Sequence, residues 1–155
     1  MMDNELNAKK VYDAMISVLD QRGWHYETEE EMIIRLKVKG EDLPIDLVIV
    51  VDKEKQLLQI LSPLSFEISE EKRVEAAIAI CAININLLYG SFDYNFDKGN
   101  ICYRMIVPLE DSEIGNGLLD FLVSCICSLV DDYNDKLLAL GKGYIDINEF
   151  IKRLK

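Results

Sequence analysis

Apolar and polar positions alternate along this chain with periods that change several times, and each change marks an element. Val11, Ala14, Met15, Val18 and Leu19 recur at spacings of three and four, with Lys9, Lys10, Asp13 and Asp20 between them. That spacing predicts an amphipathic helix, which Gly23 ends. The charged run Glu27–Glu31 reads as a solvated loop. From Met32 the period becomes two. Met32, Ile34, Leu36 and Val38 alternate with Ile33, Arg35, Lys37 and Lys39, and Leu43, Ile45, Leu47, Ile49 and Val51 repeat the pattern after Gly40-Glu41-Asp42. A turn at Asp52-Lys53-Glu54 leads to a third strand over Leu57–Leu61, which Pro63 is expected to stop.

Ser69, Glu70 and Glu71 provide a start signal for a helix running to about Tyr89. This helix has no fully polar side. Val74, Ile78, Cys81, Ile85 and Leu88 form one stripe, taken to face the sheet, and Ala76, Ile80, Ile83 and Leu87 form a second, roughly opposite. A helix apolar on both sides must be covered twice, either by the long helix further along the chain or by a partner. The size of the second stripe favours a partner, so Ala76, Ile80, Ile83 and Leu87 are the candidate interface residues. Phe92, Tyr94 and Phe96 then alternate with Asp93, Asn95 and Asp97, and Asp97-Lys98-Gly99-Asn100 turns into Ile101, Tyr103, Met105 and Val107, a hairpin with an aromatic face that Pro108 closes.

A long helix follows from Ser112 or Asn116. Its apolar side is Leu119, Leu122, Ile126, Leu129, Tyr133, Leu137 and Leu140, and its polar side is Asp120, Ser124, Ser128, Asp131 and Asp135. Gly141 and Gly143 break it. Asp146 with Glu149 resembles a capping box, and Ile145 and Phe150 are placed for a hydrophobic staple, so residues 145–155 form a short terminal helical extension. The predicted order is α-β-β-β-α-β-β-α-α: an α+β fold with an antiparallel sheet of about five strands, a three-strand meander plus a hairpin, backed by helices. No repeat or linker divides it, so residues 1–155 read as a single domain.

Composition narrows the class of partner. The chain has 155 residues, half of them apolar, and 28 acidic against 17 basic residues give a formal net charge of -11. Nucleic acid and anionic membrane surfaces are repelled by that charge, whereas basic or neutral proteins are not. The aromatic stripe of the hairpin, with only Arg104 nearby, reads as core packing rather than a stacking platform for bases. Leu118–Val130 is interrupted by Asp120 and Ser124 and is shorter than the roughly 20 residues that cross a bilayer. The N-terminal Met-Met-Asp-Asn-Glu does not resemble a secretory signal. Cys81, Cys102, Cys125 and Cys127 lie inside apolar patterns, where buried, reduced thiols are expected. A cytoplasmic location follows as the expectation.

No catalytic constellation stands out. His25 is the sole histidine and falls in a loop, so neither nucleophile activation nor a zinc tetrad has its usual residues. Asp131, Asp132 and Asp135 lie within a helical pattern rather than a calcium-binding loop, and Gly141-Lys142-Gly143 follows a helix instead of opening one, as a phosphate site would. The expectation is a non-enzymatic protein with no cofactor and no metal.

The middle of the chain resembles the YbjN domain family of bacterial sensory transduction regulators. The resemblance lies in Leu43-Pro44-Ile45-Asp46-Leu47-Val48-Ile49-Val50-Val51-Asp52, the Leu61-Ser62-Pro63-Leu64 exit, Ser69-Glu70-Glu71-Lys72-Arg73, and Asn84-Ile85-Asn86 leading to Gly90-Ser91-Phe92-Asp93. It continues through Asp97-Lys98-Gly99-Asn100-Ile101-Cys102-Tyr103-Arg104 and the Leu118–Tyr133 helix, reaching from the first helix to about Leu140. It implies a type III secretion chaperone-like fold and often a homodimer that binds segments of other proteins. It carries over no catalytic residue.

Two functions are therefore expected in order. The first is a protein-binding adaptor, chaperone-like or regulatory domain of a bacterial cell that acts as a homodimer with an unidentified protein partner. The second is a small-molecule sensor with a pocket between sheet and long helix, lined by Tyr103, Met105 and Tyr133.

Overall fold

A computed structural model describes residues 3–155, so the first two positions of the expected single domain lie outside the described residues. The elements are α1 (Asn4–Gln21), β1 (Glu27–Glu29), β2 (Ile33–Val38), β3 (Ile45–Asp52), β4 (Leu57–Glu67), α2 (Arg73–Asn84), β5 (Ser91–Asn95), β6 (Asn100–Pro108), α3 (Asn116–Gly141) and α4 (Ile147–Arg153). The fold is α+β, with an antiparallel sheet of six strands in the order β1-β2-β3-β4-β6-β5.

Register explains where the core lies. Ile34, Ile49, Ile60 and Met105 stand opposite one another across four strands, as do Val51, Leu58 and Val107 across three. Their side chains share one face because strand side chains alternate. The helices cover that face: α1 and α3 lie over β3, α3 also reaches β4 and β6, α2 backs β5, and α4 packs against α2 and α3. Asp3 caps α1 by accepting from the Glu5 N–H at 3.0 Å, and buried Asn7 donates to the Leu109 carbonyl at 3.0 Å, fastening α1 to the segment after β6. Arg22, at the end of α1, pairs with Asp120 at 2.7 Å and also reaches Ser124, while Asp131 accepts from the Glu41 N–H at 2.9 Å. The polar side of α3 thus holds neighbouring loops as well as facing water.

Three expectations need correction. Glu27–Glu29 is not a loop but an edge strand paired with β2, all three residues exposed, which makes the sixth strand. Pro63 does not end β4, which continues to Glu67 through a register shift against β6. Pairing of β3 with β4 stops at Val48 and Leu61, so Pro63, two residues on, pairs only with β6 and its missing N–H leaves no ladder bond to β3 unmade. The second helix is shorter than expected: a 3-10 turn occupies Glu70–Lys72, and α2 ends at Asn84.

The terminal extension is part of the packing. Asp146 caps α4 by accepting from the Glu149 N–H at 2.8 Å, and Ile145 and Phe150 are both buried, as a staple requires. The Glu149 carboxylate turns away from the cap to Arg153, 2.8 Å away.

Candidate interaction surface

The two stripes of α2 exist, but their roles are exchanged. Ala76, Ile80 and Ile83 are buried, with Ala79 beside them, and Leu87 is half-buried against the core. They face β5, α3 and α4 of the same chain and are unavailable to a partner. The other stripe is outside: Val74 is 62% exposed, Ile78 49%, Ile85 83% and Leu88 85%, with Cys81 also exposed among them. The alanines explain the inversion. Small side chains at positions 76 and 79 let α2 lie close against its neighbours, so the bulkier row is left pointing away.

Beyond Leu88 the surface continues onto α3. The Tyr89 ring meets Phe121 edge-on at 5.4 Å between centroids, and Phe121 and Leu118 are themselves about half-exposed. The segment carrying these side chains is firmly held. Asn84 accepts from the Phe92 N–H at 2.8 Å and donates to the Phe92 carbonyl at 3.0 Å, so its amide stands in for a neighbouring strand at the edge of β5. The Tyr103 hydroxyl donates to the Tyr89 carbonyl. Gly90, at φ 67°, lies where a Cβ would come within 2.7 Å of both the Arg104 carbonyl oxygen and the Tyr103 hydroxyl, so only glycine fits. Exposed apolar groups on a rigid support lose little entropy when something covers them.

A second uncovered surface is the outward face of the sheet. Ile33, Val50, Gln59 and Ile106 form one row across it, and Arg35, Val48, Leu61, Arg104 and Ser91 the next. Its basic groups are matched locally: Arg35 lies 2.6 Å from Glu29, Lys37 3.3 Å from Asp46, and Arg104 2.8 Å from Asp93.

The expected pocket residues come together, but as packing. Tyr103 and Met105 are buried, and the Phe92 ring lies edge-on to Tyr103 at 5.1 Å and to Tyr133 at 6.0 Å, which fills the space between hairpin and long helix. Two concavities lie elsewhere, one of about 880 Å³ along Met32, Ile33, Val50 and the Asp52–Lys55 turn, another of about 730 Å³ beside Tyr26, Arg35 and Lys37. Burial raises the Tyr103 phenol above its ordinary value. It also raises the thiols of Cys102 and Cys125, and pushes Cys127 up to about 11. These three cysteines are half-buried and Cys81 is exposed, so full burial of the thiols does not hold. Among the described residues no group of three or more His, Cys, Asp or Glu is placed to hold a metal ion, and no helix is long and apolar enough to cross a membrane.

A six-stranded antiparallel sheet backed on one face by helices, with an apolar helix row left uncovered, defines the class of the protein as an α+β domain with an exposed apolar surface. The profile of the YbjN family, described as "Putative bacterial sensory transduction regulator", matches residues 12–139, and the chain belongs to that family. Among solved structures, "YbjN, a putative transcription regulator from E. coli" shares 14% identity at a TM-score of 0.56, covering 77% of this chain and 84% of that one. The HopA1-SchA chaperone-effector complex contains a chain 9% identical, with a TM-score of 0.55 over 87% of this chain and 99% of that one. An uncharacterized protein from Methanothermobacter thermautotrophicus is 15% identical at a TM-score of 0.52, over 85% of this chain and 96% of that one. At these identities the likeness is one of fold. No curated protein matches the chain in sequence.

Proposed function

We propose that this protein is a non-enzymatic, protein-binding adaptor of chaperone-like or regulatory type that works as a homodimer in the bacterial cytoplasm. The observation that carries the reading is the exposed row Val74, Ile78, Ile85 and Leu88, continued by Tyr89 and Phe121. Contiguous apolar surface of this extent on a rigid scaffold marks a place where protein meets protein. The net charge of -11 directs the partner class towards basic or neutral proteins. The likeness in fold to a chain of a chaperone-effector complex supports the same class of role.

Light scattering tests the association. Wild-type protein is expected at twice the chain mass, and Ile85→Asp, which alters a solvent-facing side chain, at the mass of a monomer with an unchanged circular dichroism spectrum. Ile106→Asp, on the outward face of the sheet, is expected to leave the dimer intact. Monomeric wild-type protein at high concentration would refute the dimeric reading. A dimer broken by Ile106→Asp and not by Ile85→Asp would move the interface to the sheet.

A further inference from the structure

The outward face of the sheet is apolar at its centre. Ile33, Val48, Val50, Leu57, Leu61 and Ile106 share it by register, Ile106 45% exposed and the others half-buried. Helices pack on the opposite face, where the core lies. Ile33 and Val50 line one of the two concavities, and Arg35, Val48 and Pro63 line the other, so the apolar centre is bordered by hollows.

Backbone chemistry selects the conformation of what fits there. Strands β3 and β4, at the middle of the patch, are flanked on both sides, so their main-chain groups are spent in the ladders and the face offers side chains alone. An extended segment laid across it would set its own N–H and C=O groups against apolar side chains without partners. A helix satisfies those groups within itself. Four strands about 4.8 Å apart, and the four residues from Leu57 to Leu61 at about 3.4 Å each, give a patch roughly 14 Å on a side. Its diagonal of about 20 Å is the length of a helix of about 13 residues.

Charge around the rim is one-sided. Arg35, Lys37 and Arg104 are each held by a carboxylate of the same face, and Lys53 and Lys55 in the turn after β3 are paired with Glu5 and Asp52. Glu27, Glu30, Glu31 and Glu54 are exposed, and among the described residues none of them has an ion-pair partner. Every basic group here is matched, and the surplus is carboxylate. We propose that the outward face of the sheet docks an amphipathic helix of a partner protein, apolar where it meets Ile33, Val50 and Ile106 and bearing lysine or arginine where it meets Glu27, Glu30, Glu31 and Glu54. The inference rests on the protein-binding reading above and names the site and the partner's chemistry.

A synthetic helix tests it by fluorescence anisotropy. The probe is a labelled peptide of about 16 residues with leucines in one wide helical stripe and lysines on its flanks, compared with a scrambled peptide of the same composition and with a glutamate-for-lysine version. Saturable binding of the probe alone is expected, weakening as salt rises. Ile106→Arg, at an exposed position, is expected to reduce affinity about tenfold or more with an unchanged circular dichroism spectrum. Glu30→Lys/Glu31→Lys is expected to reduce affinity several-fold, whereas Glu70→Lys/Glu71→Lys, the same change in net charge on the turn before α2, leaves it unaltered. Equal losses in the two double variants, or equal binding of the scrambled peptide, would reduce the effect to net charge and overturn the proposal. Loss in Ile85→Asp but not in Ile106→Arg would move the docking site to α2. A wild-type protein that dimerises yet binds no probe would overturn this inference and leave the dimeric reading standing, and a monomer that binds the probe on the sheet would do the reverse.

Discussion

Ser62 is the one buried side-chain oxygen among the described residues without a hydrogen-bond partner. It sits in β4 opposite Tyr103, just past the place where pairing with β3 stops. A buried hydroxyl left unpaired forfeits its hydration and costs about 1–3 kcal/mol, so removing it costs the fold nothing it was gaining. Ser62→Ala is therefore expected to hold or raise the urea unfolding midpoint. A fall of more than about 1 kcal/mol, the worth of an ordinary hydrogen bond, would mean that the hydroxyl is engaged after all. Ile83 and Ile85 show how far two positions change a residue's meaning. The first is fully buried and the second 83% exposed, though only two positions separate them at the end of α2.

At the scale of elements, Asn84 joins helix to sheet. Its amide takes both backbone groups of Phe92, so Asn84→Ala leaves an N–H and a carbonyl of the edge strand without partners. The expected loss is about 1–3 kcal/mol in denaturant unfolding, with faster hydrogen exchange at the Phe92 amide. An unchanged exchange rate at Phe92 would show that the clamp is not what protects it. Strands β2, β3 and β6 and helices α1 and α3 were legible from periodicity, and α4 from its cap residue Asp146 and the Ile145–Phe150 pair. Ile34, Ile49 and Met105 on the strands, and Val18, Leu122, Ile126 and Leu137 on the helices, recur at the spacing their burial imposes. What escaped did so for physical reasons. Glu27–Glu29 buries nothing, so no alternation betrays it, and its pairing comes from β2. Pro63 is tolerated because the pairing of β4 with β3 has already stopped at Leu61, a long-range fact. The two faces of α2 are nearly equal in apolar character, and which one turned inward was decided by the close approach that Ala76 and Ala79 allow. Periodicity could find both rows without ranking them.

The molecule as a whole carries a net charge of -11, and bringing two copies together sets these charges against each other. The row Val74, Ile78, Ile85 and Leu88, proposed above as the contact between copies, is apolar, so screening would relieve the repulsion without weakening that contact. The dimer is expected to tighten as sodium chloride rises from about 0.01 to 0.15 M, a range over which the Debye length falls from about 30 to 8 Å. Sedimentation equilibrium at several salt concentrations measures this. Weaker association at higher salt would indicate an interface held by ion pairs instead.

One edge of the sheet ends in Glu-Thr-Glu, and the other has its Phe92 groups occupied by the Asn84 amide. Further chains are thus discouraged from adding strand to strand at either end, by charge on one side and by prior occupation on the other. Growth of a ribbon through the sheet is thereby disfavoured at both edges. Whatever the chain assembles with, the ends of its sheet are poor places for another strand to join.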